Sequence, residues 1–274
     1  MSTVLITGCG SGFGEALALA FAKRGDNVIA TMRRPETAPA SIKNLVAERS
    51  SAVTIAALDV NDADARRRAV DLALSRFGRL DVLVNSAGVG ASGSLEDMPT
   101  STLNTIFATN FFGPLELMRL ALPVMRKQGS GRIINITSVA SLFSTPFMSA
   151  YCASKQALDA ASIALDIESR SFGVRVAAIV AGPFKTGLPA KSLDIAPSEP
   201  YAATHGHFKG VFAELEKHAA EDLSPLVKTV LAAASEANPS LRYVVGTDGI
   251  PFIPGLLKAL EPEQIFALRL TGQQ

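Results

Sequence analysis

The sequence predicts an α/β protein, a doubly wound parallel sheet of about seven strands with helices on both faces. Three observations carry this. Short apolar, β-branched runs alternate with longer segments of helical period. The runs are apolar throughout, as strands covered on both faces must be. No repeat of about 20–50 residues and no linker divides the chain, so residues 1–274 are expected to form one domain.

Val4-Leu5-Ile6 opens the series as a strand. Residues 15–23, with Leu17, Leu19, Ala20 and Phe21, follow as a helix that Gly25 closes. Residues 27–31 form the second strand, and Pro35 and Pro39 mark a loop before a helix at 41–48. A strand at 53–58 and a helix at 62–77, ended by Gly78, come next, then a strand at 81–84. A long helix is expected over 101–127 despite Pro114 and Pro123. Residues 132–136, 150–172 and 174–180 read as strand, helix and strand. Beyond Pro183 the pattern loosens, recovering as a helix at 224–234 and a strand at 242–245. The intervening stretch, about 184–223, is expected to hang over the strand ends, where such sheets bind ligands.

With 274 residues, 48% of them hydrophobic, the chain can bury a sizeable core, and 21 Gly with 15 Pro is too few for a fibrous or low-complexity protein. A formal net charge of +1 leaves no basic excess for a phosphate backbone, which argues against a nucleic-acid partner. Cys9 and Cys152 make no disulfide framework, and the first residues lack the pattern of an export signal. No apolar run reaches the roughly 18 residues that a membrane span needs. A cytoplasmic protein is expected.

Thr7-Gly8-Cys9-Gly10-Ser11-Gly12-Phe13-Gly14 joins the first strand to the first helix. Glycines let the backbone turn sharply and approach a pyrophosphate, and the helix N-terminus adds free N–H groups and a positive dipole end. A Rossmann-type dinucleotide site is the functional reading; a plain strand–turn–helix corner would use glycine too. An acidic residue for an adenosine 2′-hydroxyl is expected about 20 residues on. Met32 stands there instead, followed by Arg33 and Arg34. Guanidinium groups suit a 2′-phosphate, so NADP is favoured and NAD remains possible; the blander alternative is a solvated turn.

Ser138 ends the strand at 132–136, and Tyr151 and Lys155 lie one turn apart near the start of the next helix. An ammonium beside a phenol favours the phenolate, so Tyr151 is expected to be acidified by Lys155 and to trade a proton with a substrate oxygen. Ser138 would hydrogen-bond that oxygen where charge changes.

With these motifs the sequence resembles the short-chain dehydrogenase/reductase family in its compact single-domain form. The likeness covers about residues 3–186, with an echo at 241–249. The family's Thr-Gly-x-x-x-Gly-x-Gly matches residues 7–14, its acidic residue near the adenine matches Asp59, and its Asn-Asn-Ala-Gly stands here as Asn85-Ser86-Ala87-Gly88. The family tetrad maps onto Asn110, Ser138, Tyr151 and Lys155. The Pro-Gly motif departs from the pattern, as Ala181-Gly182-Pro183. On this resemblance the cofactor contacts are Gly8, Ser11, Gly12, Phe13 and Gly14; Arg33; Asp59 and Val60; Asn85, Ala87 and Gly88; Tyr151 and Lys155; Gly182, Pro183 and Thr186. The chemistry implied is hydride transfer between nicotinamide and a carbonyl or secondary alcohol. Tyr151 is then the acid or base, Lys155 its tuner and ribose ligand, Ser138 the polarising group, and Asn110 the holder of a relay water. A homodimer or homotetramer through the helices of Asn110 and Tyr151 is also implied.

Ala140, Leu142, Phe143, Phe147, Met148, Phe184, Leu188 and Leu193 are expected to line an apolar substrate pocket. Residues 28–33 look similar to hydroxysteroid and retinol dehydrogenase-like branches of the family. His205, His207 and His218 lack the further ligands of a metal site, so none is expected. The alternative function is a non-catalytic NAD(P)-binding regulator on the same fold. A methyltransferase would share the glycine turn but have no use for Tyr151 and Lys155.

Overall fold

The computed structural model describes residues 1–188, 192–217 and 219–247. Its framework runs β1 (Thr3–Ile6), α1 (Gly12–Arg24), β2 (Asn27–Met32), α2 (Ala40–Glu48), β3 (Val53–Ala57), α3 (Ala63–Phe77) and β4 (Val82–Asn85). There follow β5 (Ala91–Ser92), α4 (Thr100–Phe107), α5 (Gly113–Gln128), β6 (Gly131–Ile136), α6 (Ser149–Ser169) and β7 (Val174–Ala181). The last elements are β8 (Leu193–Asp194), α7 (Glu199–Lys217), α8 (Ser224–Ser235) and β9 (Arg242–Val245). Seven strands form one parallel sheet in the order β3-β2-β1-β4-β6-β7-β9. The order reverses beside β1, so the strand ends of β1 and β4 face a crevice.

Alternation along each strand divides the core between the two faces. Val4 and Ile6 of β1 pack with Leu17 and Phe21 of α1 and with Leu226 and Val230 of α8. Leu5, between them, joins Ala69 of α3, Leu117 of α5 and Leu158 of α6 on the other face. Glycines in left-handed conformation close α1 at Gly25, α3 at Gly78 and α5 at Gly129.

The expected long helix over 101–127 is divided. Residues Ala108–Phe112 form a π-turn between α4 and α5. Pro114 is the physical cause: it has no N–H for the carbonyl four residues earlier, that of Asn110. A second difference lies in the 184–223 stretch, which holds β8 and the 19-residue α7 rather than loop alone. Strand β8 pairs with β5, Ala91 opposite Leu193 and Ser92 opposite Asp194. This pairing needs glycine at Gly90 and Gly93, where a Cβ would stand 2.2 Å from Ser192 Oγ and 2.7 Å from Ile195 Cβ. Asp97 accepts from the Ser198 N–H at 3.0 Å and Glu96 accepts from the Tyr201 hydroxyl at 2.5 Å, which pins the start of α7.

Candidate active site

The glycine turn follows β1 and presses against the end of β4. Gly8 (φ +78°) is so close that a Cβ there would lie 2.9 Å from Ala87 Cα. Thr7 Oγ1 accepts from the N–H groups of Ser86 and Ala87 at 2.9 and 3.0 Å, tying the two strand ends together. Above them lies a groove of about 540 Å³. Gly8, Ser11, Gly12 and Phe13 form one wall, Ala87 and Gly88 the floor, and Asp59 and Val60 the side toward β3. Arg33 stands exposed at the outer end, Tyr151 and Lys155 at the inner end, and Thr186 above Gly12.

Four expected cofactor contacts sit behind this wall, each for a packing reason. Gly14 lets α1 close on the turn, since a Cβ there would come within 2.4 Å of the Gly8 carbonyl oxygen. Asn85 is buried and donates to Asn135 Oδ1 at 2.8 Å. Gly182 abuts the end of β9, where its Cβ would stand 1.8 Å from the Gly246 carbonyl oxygen. Pro183 uses its carbonyl on the Ala220 N–H at 3.0 Å. Sequence reasoning missed Gly10, Asn61, Ser86, Thr109, Thr137 and Gly187, all of which line the groove. Most are immediate neighbours of motif positions, a signal that adjacency alone could have supplied.

The dinucleotide-shaped features fit together. A lining of glycine backbone, the N-terminus of α1 and a cationic rim at Arg33 and Arg34 suit the pyrophosphate of a nicotinamide dinucleotide. None of the ion pairs among the described residues uses either arginine.

Ser138 caps a short 3-10 turn, its Oγ accepting from the Ala140 N–H at 3.2 Å, and its hydroxyl lies near enough to the Tyr151 phenol to lower its pKa. Lys155 is buried and donates to the Ile136 carbonyl at 2.9 Å. The electrostatics differ from the sequence expectation. Burial pushes the Tyr151 phenol up to about 12, against a smaller lowering by Ser138. Burial likewise pulls Lys155 down to about 8. Desolvation is the largest cause in both cases, disfavouring both charged forms; the Lys155 nitrogen lies 6.0 Å from the ring centre. Asn110, in the π-turn, is also buried; its amide is engaged by Val89 and Ser154.

The expected substrate-lining residues divide. Ala140, Tyr151 and Cys152 cluster with Met148 and Leu188 beside the inner end of the groove. Phe147 adopts a left-handed φ of 58°, its carbonyl held by the Gly93 N–H at 2.8 Å and its ring 4.9 Å from that of His205 on α7. Phe184 is instead a core residue, edge-on to Phe13 at 5.4 Å, and Leu193 packs with Ala91 and Ile106. Among the described residues no three His, Cys, Asp or Glu side chains form a metal-holding group; His218 lies outside them.

The model of the short chain dehydrogenase family matches residues 2–194. The chain is 33% identical to "Oxidoreductase BOA17" of Botryotinia fuckeliana, over 90% of this chain and 89% of that protein. It is 30% identical to retinol dehydrogenase 8 of Bos taurus (98% and 88% covered) and 32% identical to 17-beta-hydroxysteroid dehydrogenase type 1 of Homo sapiens (92% and 80%). Among solved structures, a short-chain dehydrogenase from Streptomyces avermitilis superposes with a TM-score of 0.84 at 32% identity, covering 98% and 97% of the two chains. ElxO with NADP bound gives 0.75 at 26% identity (94% and 99%), and a 3-ketoacyl-(acyl-carrier-protein) reductase from Brucella melitensis complexed with NADH gives 0.75 at 25% (91% and 97%). Motif order, sheet topology and these matches agree, and the chain belongs to the short-chain dehydrogenase family, as an oxidoreductase of the CH–OH/C=O class.

Proposed function

We propose that this protein is an NADP(H)-dependent oxidoreductase that moves hydride between the nicotinamide and a carbonyl or secondary alcohol of a hydrophobic substrate. The observation that carries the reading is that Tyr151 and Lys155, a turn apart, both line the inner end of the glycine-lined groove, with the Ser138 hydroxyl beside the phenol. The bound cofactor supplies the hydride donor or acceptor, and in its oxidised form a positive ring charge. Every other step belongs to the chain. Ser138 orients the substrate oxygen, and Tyr151, neutral and buried, donates its proton to that oxygen as a carbonyl is reduced; only as its phenolate does it receive one as an alcohol is oxidised. Lys155 is held by the Ile136 carbonyl where the cofactor ribose would lie, and its proton is the near source for restoring Tyr151. Asp59 and Val60 would flank the adenine, and Thr186 the carboxamide.

Exposed Arg33 and Arg34, with Met32 in place of an acid, favour the 2′-phosphate form of the cofactor. The apolar cluster of Ala140, Met148 and Leu188 around Tyr151 favours a hydrophobic substrate, as do relatives named for retinol and hydroxysteroids. One domain spanning residues 1–274, working in the cytoplasm as a homodimer or homotetramer, completes the reading. It draws support from two free, buried cysteines, an exposed Phe112 beside the π-turn, and the lack, among the described residues, of a helix long and apolar enough to cross a membrane.

The test is NADPH oxidation against a panel that includes all-trans-retinal, a 17-ketosteroid and medium-chain aldehydes and ketones, with NADH in parallel. Turnover of at least one hydrophobic carbonyl compound, with NADPH preferred, is expected. Binding of NADPH without turnover of any would leave the regulator reading in its place.

A further inference from the structure

Ser154 lies on the face of α6 that Tyr151 and Lys155 share, and it is fully buried. Its hydroxyl has two partners. It donates to the Tyr151 carbonyl at 2.8 Å, and it accepts from Asn110 Nδ2 at 3.1 Å. Asn110 spends its second amide hydrogen on the Val89 carbonyl at 2.9 Å, and its Oδ1 accepts from the Val89 N–H at 2.9 Å. A single chain of hydrogen bonds therefore links the loop after β4, the π-turn and the first turn of α6.

Donor and acceptor chemistry gives this chain one sense. A carbonyl can only accept, so the Ser154 proton is committed to Tyr151 and only a lone pair remains for Asn110. That lone pair selects the NH₂ end of the Asn110 amide, which leaves Oδ1 for the Val89 N–H. Val89 and its neighbour Gly88 line the groove, and a Cβ on Gly88 would lie 3.4 Å from Asn110 Oδ1 and 3.7 Å from Lys155 Nζ. The groove floor, the π-turn and the lysine thus converge on the amide that Ser154 orients.

We propose that Ser154 is a positioning residue of the hydride-transfer centre: its hydroxyl fixes the Asn110 amide and so holds the Val89 loop in register with Tyr151 and Lys155. The proposal rests on the reading of Tyr151 and Lys155 as the reactive pair. Losing the hydroxyl orphans a buried N–H, which frees Asn110 to turn and Val89 to move.

The experiment uses the full chain and begins with amide hydrogen exchange, which needs no turnover. In Ser154→Ala, exchange at the Val89 amide is expected to accelerate about tenfold, the worth of one buried hydrogen bond, while the Leu5 amide in β1 is unchanged. Ser154→Thr, which keeps the hydroxyl, should stay within about twofold of wild type. In an Asn110→Ala background, Ser154→Ala should add almost nothing, because both changes cut the same link. With the carbonyl substrate found as above, kcat should fall about tenfold with the cofactor KM nearly unchanged. If Ser154→Ala fails to fold, Ser154→Cys, which keeps the volume and weakens both hydrogen bonds, gives the same readouts. Val89 exchange within twofold of wild type, or effects that multiply in the double variant, would overturn the proposal. So would an unchanged kcat in Ser154→Ala when Tyr151→Phe is inactive. An active Tyr151→Phe would instead overturn the reading beneath it.

Discussion

The Lys155 nitrogen lies 6.0 Å from the centre of the Tyr151 ring and donates its hydrogen bond to the Ile136 carbonyl, 2.9 Å away, on the strand that leads to Ser138. The lysine is thereby fixed by backbone rather than by the phenol. Both groups are buried, and both are driven toward their neutral forms, the phenol to about 12 and the amine to about 8. A neutral phenol is a proton donor ready for carbonyl reduction, and an amine near 8 can change protonation at working pH.

Lys155 makes stability depend on pH in a defined window. Its folded value of about 8 lies below its ordinary 10.5, so between those pH values the unfolded chain binds the extra proton and stability rises with pH. That contribution is fully present above 10.5 and is lost as pH falls through 8. Urea midpoints at about pH 7.5 and 10 should show wild type gaining on the order of 2–3 kcal/mol relative to Lys155→Met. Parallel changes in the two proteins would show that the ammonium is not desolvated.

On the proposed reading, Arg33 and Arg34 set the cofactor preference. Neither is drawn into an ion pair among the described residues, and both border the groove beyond Met32. Replacing both with alanine should weaken NADPH binding roughly 10- to 100-fold, with NADH changed by less than about threefold. Fluorescence titration of both cofactors measures this, and an equal loss for the two would remove the arginine argument.

Gly14 and Gly10 separate packing from mere membership of the glycine turn. A Cβ at Gly14 would meet three backbone atoms of the turn, at 2.4, 2.6 and 2.9 Å, whereas at Gly10 the nearest neighbour is Met32 Cβ at 3.9 Å. Gly14→Ala should cost about 1–3 kcal/mol and weaken cofactor binding more than about tenfold. Gly10→Ala should leave thermal stability within about 0.5 kcal/mol. Thermal melts with and without NADPH distinguish the two.

The sheet was legible because parallel strands such as β1 and β7 are buried on both faces and so appear in the sequence as unbroken apolar runs. Helix α7 was not, since most of its side chains face solvent and its one buried stripe, through His205, carries little apolar period. The β5–β8 pair, two residues on each side, is below the length at which alternation can be read. Pro114 was visible, but its consequence, a π-turn that buries Asn110, depends on how two helices share one carbonyl. The tetrad and the glycine turn could be placed by motif. Which glycines face the groove could not, because Gly14 answers to the Gly8 carbonyl across the turn and Gly182 to Gly246, distant in sequence and adjacent only in the fold. The apolar character of Phe184 suits a substrate pocket, and it equally suits the core beside Phe13 where the ring packs.

The central claim is that the Tyr151 phenol, with the Ser138 hydroxyl near it, is the group that exchanges a proton with the substrate oxygen. Tyr151→Phe removes one oxygen atom from a buried site and leaves the groove walls in place. The account expects kcat to fall by at least about 10²–10⁴-fold while NADPH binds with unchanged affinity. Turnover at the wild-type rate in the phenylalanine variant would contradict it.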